Sequence, residues 1–149
     1  MNNVESAMLT LHLLATAAMI GLIWFVQVVH YPLFAAVGTD EFVEYEARHR
    51  TLTSLVVGPP MAIEGITALW LAFDPPAGVG RLLPLVGLAL LGVVHASTVF
   101  LQVPQHSALT KGFDPARVRR LIRTNWIRTI GWSLRGVIAA LIVAQALAR

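Results

Sequence analysis

The chain reads as an all-α protein, one bundle of four transmembrane helices occupying residues 1–149, and three observations predict it. Hydrophobic residues make up 56% of the chain and charged residues only 13%, where a soluble domain carries about 25% charge. Four runs, 7–29, 52–73, 82–103 and 129–147, are long enough to cross a bilayer core of about 30 Å, for which roughly 20 residues suffice. Basic residues gather in alternate connections. Arg48, Arg50, Lys111, Arg117, Arg119, Arg120, Arg123 and Arg128 fall on one side, and Arg81 and Arg149 on the other. The positive-inside rule then places both longer connections in the cytoplasm and both termini outside it. A multi-pass membrane protein is expected. The pI near 10.2 follows from this topology and from anionic lipid, so a nucleic-acid partner is not predicted.

Helix one is expected to be retained, because MNNVESA carries no positive charge and the apolar run is too long for a signal-peptide core. It carries His12, Gln27 and His30. In VGTDEFVEYEARHRTL, Thr39 or Asp40 is suited to cap a helix with acidic first turns that continues into helix two. Gly58-Pro59-Pro60 predicts a kink there that opens room beside Glu64. DPPAGVG reads as a tight turn. Helix three ends in HASTVFLQVPQH, where Pro104 is expected to end or bend it at the surface. Asp114 as cap and Pro115 at the first helical position start helix four well before its apolar run. Its small-residue run GVIAALIVAQALA offers a packing surface. There is no cysteine, which excludes disulfides, thiolate metal sites and cysteine nucleophiles.

Polar groups inside the spans are costly and tend to face the bundle interior. Glu64 is the one deep acid, at a depth of about 18 Å, and Arg135 the one deep base, at about 12 Å, counting 1.5 Å per residue; an ion pair is expected. His95, Thr98, Gln102 and His106 fall three, seven and eleven residues apart, on one helical face. Asn125, Arg128, Trp132 and Arg135 form a matching stripe on helix four. With Gln27 and His30 these residues predict a polar chamber open to the cytoplasm. His95 is the expected general base, with Arg135 or Asn125 stabilising an oxyanion beside Glu64. Gln27, His30, Thr98, Gln102, His106, Arg128 and Trp132 are the expected binding residues. His12 lies eighteen residues from His30, about 27 Å along a helix, and is expected at the opposite surface, where its loss should change little. His49 and His106 are able to meet His30 near the cytoplasmic surface, yet no HxxxH or HExxH spacing occurs and no metal is predicted. Haem ligation through His95 stays open.

The segments VPQHSALTKGFDP and TNWIRT, with Val103, Pro104, Asn125, Arg128 and Thr129, resemble the anthrone-oxygenase-like family of small four-helix bacterial membrane proteins. HYPLF, residues 30–34, is similar to that family's exit from helix one. The chain departs from the pattern at His106, where an asparagine is usual, and at Trp126, where a histidine is common. A lesser similarity joins LHLLATAAMIGLIWFVQVVHYPLF to the membrane-bound, haem-containing protoporphyrinogen oxidase. Three functions follow as expectations: a membrane oxidoreductase or oxygenase acting on a hydrophobic phenol-like or quinone-like molecule without an obligatory cofactor; a haem-binding redox protein; or a non-enzymatic subunit or small carrier within a homo-oligomer or larger membrane complex.

Overall fold

The computed structural model describes residues 1–148. Four helices, α1 (Asn3–Ala36), α2 (Phe42–Phe73), α3 (Leu82–Leu109) and α4 (Pro115–Leu147), are each long and apolar enough to cross a membrane. Among the described residues there is no β-strand. Arg149, counted with Arg81 on the sparsely charged side, lies outside the described residues. The short connections 37–41, 74–81 and 110–114 make successive helices antiparallel. The first and third connections therefore share one end of the bundle, which also carries most of the arginines. We call it the basic end.

Two helix starts are fixed by side chains. Asn2 and Glu5 form a reciprocal capping box at 2.7 and 2.9 Å, and the Asp114 carboxylate accepts from the amides of Ala116 and Arg117 at 2.8 and 3.3 Å. Pro115 occupies the first turn of α4, as predicted. The start of α2 differs from expectation. Thr39 and Asp40 lie in the turn before it, Glu41 holds the cap position without a side-chain bond, and buried Phe42 anchors the helix instead.

Both α1 and α3 continue beyond their predicted exits, and the cause is the same in each. A π-helical turn, Val26–His30 in α1 and Thr98–Gln102 in α3, comes just before Pro32 and Pro104 respectively. A π turn holds one extra residue. Each proline then sits in the first turn of a fresh α-helical segment, where its missing N–H is not needed. The extra residue also turns every later side chain by about 100° relative to the preceding segment. Pro59 and Pro60 behave differently from expectation too. They lie towards the outer side of a helix that is continuous to Phe73, and the predicted room opens near Thr53 and Val57 rather than beside Glu64.

The interior is layered along the bundle axis. Tyr31, Phe34, Phe42, Leu109, Val118 and Leu121 fill the basic end. Met19, Ile23, Val94 and Trp132 fill the middle, and Leu9, Leu71, Val79, Ile142 and Ala146 the far end. Helix α4 packs closely on α3 and α1 because Gly131 and Gly136 leave room there for Val94 and Ile20. The α2–α3 seam is looser over its length. Large apolar side chains such as Leu55, Phe73, Leu82 and Phe100 point outwards around the bundle, which suits a hydrocarbon surround.

Candidate functional site

Midway along the bundle lies a closed ionic cluster. The Glu64 carboxylate, fully buried on α2, accepts from Arg135 Nε at 2.8 Å, Thr16 Oγ1 at 3.0 Å and Trp132 Nε1 at 2.9 Å. Arg135 Nη1 also donates to the carbonyl of Gly87. Helices α2 and α4 do not pack backbone to backbone, so this pair spans the interior between them. The predicted ion pair is therefore present in the structure. Both Glu64 oxygens accept hydrogen bonds, Arg135 Nη2 is buried without a partner, and the cavity beside Arg135 and His12 holds only about 10 Å³. The pair braces α2 against α4, and the space beside it is too small for the substrate expected there.

His12 belongs to this cluster. It is 5% exposed and its Nδ1 lies 2.8 Å from Thr67 Oγ1, one turn from Glu64. It was expected at the membrane surface, but α1 begins at Asn3, so His12 already lies about 14 Å along the helix. His95 is the opposite case. Its half-buried ring donates from Nδ1 to the Leu91 carbonyl of its own helix at 2.9 Å, and it contacts neither the ionic cluster nor the cavity described next. The expectation that His95 is the chamber's base is corrected for that reason. His12→Ala should accordingly destabilise the fold by about 1–3 kcal/mol, through a lost buried hydrogen bond and ring, and His95→Ala by no more than about 0.5 kcal/mol. Unfolding in mixed micelles measures both; equal losses would contradict the placement.

A polar cavity of about 170 Å³ opens in the α2–α3 seam at the basic end. Thr98, Gln102, His106 and Arg128, all expected there, line it together with Tyr31, His49 and Thr53, while Val57 and Val103 supply apolar wall. Gln27, Asn125 and Trp132 stand behind it. Asn125 Nδ2 donates to Gln27 Oε1 at 3.0 Å, Arg128 Nη1 donates to Asn125 Oδ1 at 3.2 Å, and the Arg128 guanidinium lies 5.3 Å from the Trp132 ring centre. Arg128 Nε is buried without a partner. Gln102 is held by Ser97 at 3.0 Å and by Thr124 at 3.2 Å. The Ser97 to Gln102 spacing of five is the π turn at work.

Beside this cavity His30, His49 and His106 converge, as their positions allowed, and Glu46 and Tyr31 join them. His106 Nδ1 donates to Glu46 Oε1 at 2.6 Å, and its Nε2 lies 2.9 Å from the Tyr31 hydroxyl. His49 Nδ1 lies 2.8 Å from His30 Nε2 and 3.1 Å from Thr53 Oγ1. Phe34 and Tyr45 pack against these rings, and Phe42 packs behind them on Phe34 and Tyr45. His30 and His49 also line an outer cleft of about 570 Å³ between α1 and α2, so His49 separates cleft from inner cavity. Glu46, Tyr31 and His49 were missed as site residues. A usable signal existed for two of them: Glu46-Ala47-Arg48-His49 places a carboxylate and an imidazole at i and i+3, on one helical face.

Comparison with protein-family models, with curated proteins and with solved structures finds no match for this chain.

Proposed function

We propose that the chain is a small integral-membrane oxidoreductase acting on a monocyclic hydroxyaromatic or quinone-like molecule held in the cavity at the basic end. One observation carries this reading: a cavity of about 170 Å³ with apolar walls places Arg128, Tyr31 and His106 around one ring-sized space. A space of about 150 Å³ accommodates benzene. A phenolic hydroxyl entering beside Arg128 would meet a guanidinium cation, which favours the phenolate over the phenol. The proton leaves through the Tyr31 hydroxyl to His106, whose imidazole is oriented by Glu46. A hydroquinone treated in this way loses two protons and two electrons, and dioxygen accepts both to depart as hydrogen peroxide. The distribution of basic residues supports a cytoplasmic orientation for this end, with both termini on the other side of a bacterial inner membrane.

The test is binding and oxidation of simple hydroquinones by the detergent-purified protein. Arg128→Gln should weaken binding at least about tenfold with the fold intact, the loss of one charge-assisted hydrogen bond. Failure of any hydroxyaromatic to bind, or undiminished binding by Arg128→Gln, overturns the reading. A second reading is favoured by His95. Its Nδ1–H is held by the Leu91 carbonyl, which fixes the tautomer with Nε2 free, the arrangement an axial haem ligand needs. A Soret band that disappears in His95→Ala would favour haem.

A further inference from the structure

We propose that Glu46, His49 and His106 form a binding site for a divalent first-row transition-metal ion. The three residues come from two helices and are all buried, Glu46 completely. One ligand atom from each lies within 4.8 Å of the other two. Imidazole nitrogens and carboxylate oxygens bind such ions at about 2.0–2.2 Å, so ligands opposed across one ion are at most about 4.4 Å apart. The ion would take the place of the proton that now joins His106 Nδ1 to Glu46 Oε1 at 2.6 Å, and small side-chain rotations bring the three ligand atoms around it.

Three further features point to a cation rather than to a closed hydrogen-bond network. Glu46 Oε2 is buried and has no hydrogen-bond partner. Leaving a carboxylate oxygen bare in the interior is unfavourable, and a metal ion supplies what is missing. His49 Nε2 makes no hydrogen bond, because its bonds to His30 and Thr53 both use Nδ1. The far side of each histidine is already braced: Tyr31 holds His106 Nε2, and His30 and Thr53 hold His49 Nδ1. Such outer partners fix the ring angle and tautomer of ligating histidines.

The donor set decides the class of ion. Two imidazoles and one carboxylate, without thiolate, suit Zn²⁺, Fe²⁺ or Co²⁺ over Ca²⁺ and Mg²⁺, which prefer all-oxygen shells. Three protein ligands leave coordination positions open, as in catalytic sites. The α1–α2 cleft lined by His30 and His49 provides an entry path. The Phe34 ring packs edge-on against both His49 and His106 on another flank. This site does not depend on the hydroxyaromatic reading: with the ion on His106 Nδ1 the ring hydrogen sits on Nε2 and donates to the Tyr31 hydroxyl, so the metal-bound state and the proton path through His106 are alternatives.

The experiment uses the full chain in detergent, stripped with chelator and titrated with Co²⁺ alone, with no organic ligand present. Wild-type protein should bind one Co²⁺ per chain and show the visible d–d absorption of a four- or five-coordinate ion. Glu46→Gln and His106→Asn should each weaken binding at least about 100-fold, whereas His95→Ala should bind as wild type. Arg128→Gln should keep Co²⁺ while losing hydroquinone, so failure of one proposal is separable from failure of the other. Should the ligand variants not fold, X-ray absorption of the Zn²⁺-loaded wild type decides the matter: imidazole scattering from two histidines at about 2.0–2.1 Å supports the site. A six-coordinate Co²⁺ spectrum, binding unchanged in both ligand variants, or a zinc shell without imidazole overturns it.

Discussion

Replacing Arg135 by methionine is expected to destabilise the bundle by about 3–5 kcal/mol, because it strands the Glu64 carboxylate in a water-free interior. Glu64→Gln should cost a similar amount. It leaves the guanidinium without its counter-charge and turns an amide N–H₂ towards donors from Thr16, Trp132 or Arg135. The double substitution should recover much of the loss but not all of it, since Thr16 and Trp132 still donate to a side chain with one acceptor oxygen. Unfolding in mixed micelles, run as a double-mutant cycle, measures the coupling. Additive losses would mean that the pair does not contribute as a unit.

Trp132→Ala is expected to cost about 3–5 kcal/mol. The indole is fully buried between Met19, Ile23 and Val94, donates to Glu64 at 2.9 Å and lies under Arg128. Trp132→Phe separates these contributions. It retains most of the packing and the aromatic face, so it should lose only the hydrogen bond, about 1–3 kcal/mol, and leave hydroquinone binding close to wild type. Equal losses in the two variants, followed by the same unfolding assay, would show that the ring's volume is irrelevant there.

The helix-four stripe was legible because α4 is a regular α-helix throughout. Asn125, Arg128, Trp132 and Arg135, at spacings of three, four and three, are all buried. The Glu64–Arg135 pair was legible for an energetic reason: a single acid and a single base deep in apolar spans have little choice but to meet. Helices one and three were read less well. Regular 3.6-residue counting put His95 and His106 on one face, but the π turn between them breaks the register, and only Thr98, Gln102 and His106 reach the cavity. Nothing local in TVFLQ or VQVVH announces such a turn; the nearest signal is the proline that follows two residues later.

Glu46 was passed over because it sits in EYEARHR, a segment so rich in charge that it reads as solvated. In the fold its neighbours Glu44 and Arg48 do remain exposed, while Glu46 and His49 turn inwards on the other side of α2. Tyr31 was missed because a tyrosine near a membrane boundary ordinarily serves as an interfacial anchor. Here Pro32 and the preceding π turn carry it into the core instead.

The paired π turns divide the molecule into two storeys, through both of which α2 and α4 run unbroken. On the far side of Val26 and Thr98, side-chain directions are dictated by the tight seat of α4 against its neighbours; past His30 and Gln102 they are set afresh by the extra residue. Trp132 links the two, lying under Arg128 above and donating to Glu64 below, while Tyr31 and His106 make no hydrogen bond to the ion pair. A scaffold partitioned in this way can exchange one set of interior groups for another while keeping the same foundation, so descendants of one such chain are free to differ in chemistry while sharing a single architecture.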